Sequence, residues 1–189
     1  MGVLLYSVVA HTGLFPGSKI TQGQLVNIFV RHDDPSLVVV GRRDGSGSRL
    51  TFIGKVLHTN PGRADPHTCP TATGHPSSLK SCTADDTSAV INFVNGTPSA
   101  IGYAEVLGSL QGDPQVTTLW IDNVQPTKLN VLNGSYKYWT IENLYTGARL
   151  TPLAKDFIDY LPTYIESAQP GDFITCSDAA GLVGPDCKG

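Results

Sequence analysis

Alternating strand and helix signals predict a layered α/β domain. Three observations carry that expectation. Leu37-Val38-Val39-Val40 is a continuous run of the kind found in strands covered on both faces. Apolar residues recur at i, i+3, i+4 spacing between such runs. Gly, Pro, Asn and Asp stand at the junctions. The chain has 189 residues, with 13 Lys+Arg against 16 Asp+Glu and a formal net charge of -3. That length suits one domain or two small lobes. With 20 Gly and 13 Pro, the composition stays below the roughly 25–30% that marks low complexity. A mildly acidic balance without a Lys/Arg cluster argues against nucleic acid as a partner, which would need a basic footprint. No apolar run approaches the roughly 18 residues that a bilayer crossing requires.

The elements follow in order. Val3 to Val9 reads as a buried strand, and Met1-Gly2 directly before it suggests a fragment of a longer exported protein. Leu14-Phe15-Pro16-Gly17 makes a turn. Thr21 caps a short helix with Leu25, Ile28 and Phe29 on one face. Asp33-Asp34-Pro35 breaks it ahead of the Leu37–Val40 strand. After a small-residue turn, Leu50, Ile53, Val56 and Leu57 recur at helical spacing. From about Asn60 to Asp85 the chain is polar and rich in Pro, Thr and Ser, a long surface excursion. Asp86 or Thr87 caps the next helix, with Val90, Phe93 and Val94 inward and Asn95-Gly96 as its stop. Ala100 to Glu105 and Val116 to Ile121 are short strands. Tyr136 to Ile141 is an extended aromatic stretch suited to an edge strand or a hinge crossing. Thr151-Pro152 opens a helix, because Pro is tolerated at the first helical position. Leu153, Phe157, Tyr160, Leu161 and Ile165 form its apolar stripe, and Gly171 to Gly189 reads as loop. Trp120 and Trp139 are assigned to the core, where large aromatics most often sit.

Four cysteines, Cys69, Cys82, Cys176 and Cys187, lie in loop-like stretches. An even count of this kind suits two disulfides in an oxidising compartment. Of the three connectivities, the preferred one is local, Cys69–Cys82 with Cys176–Cys187. The rival is a metal site from His67, Cys69, His75 and Cys82, but that set lacks the short ligand spacings of structural zinc.

One constellation carries chemistry. Gly41-Arg42-Arg43-Asp44-Gly45-Ser46-Gly47-Ser48 leaves a buried strand and enters a helix. The first turn of a helix exposes unpaired N–H groups and a partial positive charge. Gly45 and Gly47 let a ligand approach the backbone. Ser46 and Ser48 add hydroxyl donors, and Arg42 a planar fork matched to an oxyanion, with Asp44 able to hold that fork. Phosphate or a similar oxyanion is the natural guest. The plainer alternative is a Ser/Gly cap with Arg and Asp on a solvated turn. A Walker loop fails because no Lys follows Gly47, and a nucleophile elbow fails because Asp44 stands where Gly is needed. No His lies nearby to activate either serine, so no catalytic residue is expected and the chain is read as a binder rather than an enzyme.

Arg42 to Arg49, followed by Phe52, resembles the R-x-D-G-S-G-T/S signature of the phosphate-binding proteins of ABC transporters. Ile20 to Phe29 is similar to their L-T-x-x-Q-L-x-x-I-F helix, and Pro98 to Tyr103 to their P-G-A-I-G-Y strand. Gly134 to Trp139, with Tyr145-Thr146, resembles the return segment. The resemblance implies a type II periplasmic-binding-protein fold, one complete lobe plus part of a second. Residues 1–135 would form the anion-binding lobe with its pinned excursion at about 60–85. Residues 136–189 would supply the return segment, long helix and tail of the second lobe. It further implies that Arg42 binds the anion, that Asp44 pairs with Arg42, and that Gly45, Ser46, Gly47 and Ser48 line the ligand with hydroxyl and backbone donors. The expected role is an extracytoplasmic receptor that passes phosphate to a transporter permease without a cofactor. The alternative is a sensor or interaction domain with weak or no anion binding. Two departures stand out: Lys137 replaces the family's usual Pro, and the family's N-terminal segment, which builds the other lobe, has no counterpart in this sequence.

Overall fold

A strand as apolar as Val3 to Val9 cannot sit at a sheet edge. In the computed structural model, which describes residues 2–70, 78–106, 115–168 and 173–184, it is the central strand β1 (Gly2–His11). Val3, Val8, Val9 and Ala10 are fully buried. The second half of β1 pairs antiparallel with β5 (Ala100–Glu105) and β6 (Val116–Ile121). Its first half pairs antiparallel with β7 (Trp139–Glu142) and β8 (Phe173–Thr175). Partners change between Leu5, opposite Trp139, and Tyr6, opposite Glu105. Three hydrogen bonds clamp that crossing. Tyr6 N–H donates to Tyr138 O (3.1 Å), Val106 N–H to Leu5 O (2.9 Å), and the Tyr136 hydroxyl to Tyr6 O (2.9 Å).

Beyond β5 the sheet continues in parallel through β3 (Val38–Arg42) to β4 (Ser81–Ala84), and β2 (Lys19–Ile20) borders β6. Helices cover both faces. On one side lie α1 (Gln22–Val26) and α2 (Gly47–Phe52), each continued by a wider π turn, Asn27–Arg31 and Ile53–Leu57. They bury Leu25, Ile28, Phe29, Phe52, Val56 and Leu57 against Val39, Ile101 and Tyr103. On the other side α3 (Thr87–Gly96) packs Val90, Phe93 and Val94 on Val38, Val40 and Ala104. The alternation of Val38, Val39 and Val40 between these clusters is why the run is apolar throughout. A Cβ on Gly102 would stand 2.9 Å from Val90 Cγ1, so glycine there is what lets α3 approach the sheet.

Expected caps are in place. Thr21 and Gln24 form a reciprocal capping box, and Asp86 Oδ1 accepts Ala89 N–H at 2.8 Å. His32 and His58 end the two π turns with left-handed backbone, φ 54° and 51°.

Several expectations are corrected. Leu50 is 62% exposed, and Phe52 takes the inward position at 1%. The π turn, closed by His58 N–H to Ile53 O, realigns Val56 and Leu57 with Phe52. The end of the excursion is not surface loop but the strand β4, with Cys82 and Ala84 buried. Small polar residues hide that strand from hydrophobic patterning. The tail from Gly171 is not all loop, since β8 and a short helix α6 (Ala180–Val183) lie within it; α4 (Lys128–Leu132) and α5 (Pro152–Ala168) precede β8 in the chain. Trp120 and Trp139 are half-buried rather than core, each under a lysine ammonium, Lys19 at 5.3 Å and Lys55 at 5.2 Å.

Cys69 and Cys82 are joined, with Cα atoms 4.8 Å apart across a separation of 13 residues. Both are thereby removed from the rival metal set, of which His75 lies outside the described residues. A loop of this size is worth about 3 kcal/mol through lost freedom of the unfolded chain. Cys187, and with it the expected Cys176–Cys187 bridge, also lies outside the described residues.

Helix α5 starts as expected, with Thr151 Oγ1 accepting Ala154 N–H at 3.2 Å. Its stripe is not core. Leu153 is 79% exposed, Phe157 55% and Tyr160 59%. Amphipathic spacing specifies which face seeks cover, not what covers it. Phe157→Ala is therefore expected to change the thermal midpoint of this chain by no more than about 2 °C, the scale of a surface substitution. A drop above about 6 °C in calorimetry would show the side chain to be core.

Candidate functional site

Strand β3 delivers Arg42 to the edge of an open cleft of about 670 Å³, lined by Leu4, Tyr6, the stretch from Arg42 to Ser48, Glu105 and Glu142. The turn from Arg43 to Ser46 is closed by Ser46 N–H to Arg43 O at 3.2 Å. Gly45 sits at φ +84°, a conformation that L side chains rarely adopt. Ser46 is the N-cap of α2, its Oγ accepting Arg49 N–H. Gly47 and Ser48 are first-turn residues, whose N–H groups have no partner within their own helix. Arg42, Gly45, Ser46, Gly47 and Ser48 thus all line the cleft.

Arg42 is held from three sides. Its N–H donates to the Tyr103 hydroxyl (3.0 Å), Nη2 to Asp85 O (3.0 Å), and Nη1 to Ser48 Oγ (3.4 Å). Its Nε is buried without a hydrogen-bond partner among the described residues. No carboxylate pairs with this guanidinium among the described residues.

The expected Arg42–Asp44 pair is the main correction. Asp44 Oδ1 accepts Ala64 N–H at 3.0 Å and faces Arg49 Nε at 3.4 Å. Arg49 in turn donates to Gly62 O at 2.7 Å. Asp44 turns toward the excursion because that segment folds back over α2 and offers both a backbone donor and a largely buried cation. Sequence spacing contains no trace of a contact 20 residues away.

One cleft residue, Tyr6, is missed by the sequence reading, and a second, Glu105, stands there as a candidate for the rim. Tyr6 looked like one more apolar strand position. Burial pushes its phenol up to about 12, helped by Glu105 and Glu142 and opposed by the Ser48 hydroxyl and Arg42. It is therefore a neutral hydroxyl donor at physiological pH. Glu105 ends β5, with Oε1 accepting Ser48 Oγ–H at 3.4 Å and Oε2 accepting Thr87 Oγ1–H at 2.5 Å. A lone charged residue closing an otherwise buried strand is what marks Glu105 as a rim candidate in the sequence. Behind the cleft, Tyr138 is fully buried, and desolvation carries its phenol well above the ordinary value.

Chemically, the arrangement offers a cation, two serine hydroxyls, a phenol and helix-start amides on one wall, with a hydrogen-bonded carboxylate beside them. That is a set for holding an oxyanion.

No family model matches the chain. The phosphate-binding protein PstS of Bacillus subtilis (strain 168) is 35% identical over 128 residues, 68% of this chain and 37% of that protein. PstS 2 of Streptococcus agalactiae serotype V is 35% identical over 127 residues, 65% of this chain and 39% of that protein. The chain thus spans less than half the length of these curated relatives. Among solved structures, a phosphate ABC transporter substrate-binding protein of Clostridium perfringens with bound phosphate superposes with a TM-score of 0.66 at 24% identity. It covers 92% of this chain and 69% of that one. An ABC-type phosphate transport receptor of Vibrio cholerae gives 0.54 at 20% identity, over 89% and 66%. These structures establish the shared α/β binding-protein fold. Joined by sequence over 128 residues and by architecture over nearly all its length, the chain is a homologue of the PstS phosphate-binding proteins.

Proposed function

We propose that this chain is the anion-holding part of an extracytoplasmic phosphate receptor that serves an ABC transporter permease, binding its ligand without altering it. Arg42, Ser46, Gly47 and Ser48 hold the phosphate, Gly45 shapes the loop, and Asp44 steadies it by way of Arg49 and Ala64. The observation that carries this reading is Arg42, a half-buried guanidinium facing a cleft, with no carboxylate partner and an unsatisfied Nε among the described residues. An unsatisfied buried donor costs about 1–3 kcal/mol, and an oxyanion on the same wall relieves both that cost and the unpaired charge. Homology to proteins named for phosphate binding supports the choice of ligand. The Cys69–Cys82 bridge supports an oxidising compartment. Residues 136–189 are read as the return into a second lobe, a reading supported by β7 and β8 joining the first half of β1.

Titration of the 189-residue chain with orthophosphate should give a saturable calorimetric signal and a raised thermal midpoint. A flat response at millimolar phosphate would overturn the proposal. It would leave the interaction-domain reading, which the uncovered stripe of α5 favours.

A further inference from the structure

We infer that the cavity beneath the excursion, between β3, β4 and α2, is a second ligand site, built for a small aromatic carboxylate. It shares no lining residue with the cleft at Arg42. Its volume is about 220 Å³. A dry apolar cavity of about 150 Å³ already takes benzene, so there is room for a ring and its acid group. Phe29, Val39, Phe52, Leu57 and Tyr103 make an apolar floor, and the three rings among them suit a stacked or edge-on aromatic guest. Gly41 leaves that space open, since a Cβ there would meet nothing nearer than Arg49 Nη1 and Cys82 O, both at 3.9 Å.

Such a space persists only if its cover cannot fall in. Residues 61–66 form the cover and are tied on both sides. Toward α2, Arg49 Nη2 donates to Gly62 O at 2.7 Å and Ala64 N–H to Asp44 Oδ1 at 3.0 Å. Toward β4, Thr83 Oγ1 donates to Asp65 O at 2.6 Å, and the Cys69–Cys82 bridge pins the chain just beyond. The cavity is therefore formed before a ligand arrives, which spares the cost of ordering a loop on binding.

Charge at the mouth selects the guest. His32, Arg63 and Pro66 are the exposed lining residues and mark the opening. Neither the Arg63 guanidinium nor the His32 ring has a hydrogen-bond or ion-pair partner among the described residues. Arg49, with 11% of its side chain exposed, adds a second guanidinium to the wall. Asp65, the acidic residue of the lining, is already engaged, Oδ1 accepting His67 N–H at 2.8 Å and Oδ2 the Ser81 hydroxyl. A carboxylate at the mouth thus gains a cation without breaking an existing pair, while its ring leaves water for the floor.

The test is calorimetry of the 189-residue chain with benzoate, alone and in excess orthophosphate, and with benzyl alcohol as the same ring without the charge. Benzoate should bind saturably with a dissociation constant below about 1 mM, a range open to so small a ligand, and phosphate should change it by less than about threefold. Benzyl alcohol should bind at least about tenfold more weakly, because the charge-assisted bonds are missing. Arg63→Glu should erase that difference by weakening benzoate alone. Gly41→Val puts a side chain into the cavity and should abolish binding of both ligands. Absence of a saturable benzoate signal would overturn the inference. So would equal binding of the two ligands by the unaltered chain, or unchanged benzoate affinity in either variant. Loss of the benzoate signal in excess phosphate would place benzoate in the cleft at Arg42 and overturn it as well. Arg63 is exposed, so its variant decides the matter even where Gly41→Val does not fold. The phosphate reading has its own titration and stands or falls apart from this site.

Discussion

Arg42→Ala should abolish the thermal shift produced by phosphate and weaken binding by about 100-fold or more. Hydrogen bonds to a charged group contribute about 1.5–3 kcal/mol each, and a planar fork can place two on one oxyanion. Alanine removes both along with the guanidinium that β3 brings to this cleft. Arg42→Lys should recover part of the loss, because an ammonium keeps the charge but not the paired geometry. The unliganded variant should stay folded. The side-chain bonds it loses, to Asp85 O and Ser48 Oγ, lie at the cleft edge, and the backbone bond to the Tyr103 hydroxyl survives. Calorimetry with phosphate checks the prediction directly. Unchanged affinity in the alanine variant would move the anion site away from the β3–α2 junction.

Phe52→Ala carries the largest expected cost in stability. The ring is 1% exposed, stacked on Tyr103 with centroids 4.3 Å apart, edge-on to Phe29 at 4.9 Å and tilted against Tyr138 at 5.4 Å. Truncation removes the buried surface and leaves a cavity that rigid aromatic neighbours cannot collapse into, a loss of about 3–5 kcal/mol. For a chain of this size that is roughly a 10 °C fall in the thermal midpoint. Phe52→Leu should recover a good part of it. Helix α2 is short and hangs on this ring, so the alanine variant should also bind phosphate more weakly despite intact ligand groups. The comparison with Phe157→Ala is instructive. Phe157 belongs to the apolar stripe that the sequence predicts and Phe52 does not, yet Phe52 is the enclosed residue and Phe157 faces outward.

Local chemistry was legible because it involves neighbours in the chain. Thr21, Asp86 and Thr151 cap helices as their side chains dictate, and Thr127 does the same for α4. The β-branched run before Gly41 announced a strand with helices on both faces. The glycines and serines after Arg42 announced an open helix start. Where the reading failed, the deciding contact lay far away. Asp44 was assigned to Arg42, two residues off, but Ala64 and Arg49 reach it first. Ser81 to Ala84 has no apolar signature and becomes a strand because β3 offers it a ladder.

Sequence alone determined the α/β alternation, the caps and the glycine- and serine-rich loop that opens α2, since each follows from the backbone preferences and spacing of adjacent side chains. Tertiary structure decided the rest. It placed the partner change of β1 at Tyr6, set Glu105 against Ser48 and Thr87, and left α5 uncovered. These depend on which surfaces meet across the sheet, and that is settled by packing energy summed over the whole chain rather than by any local pattern.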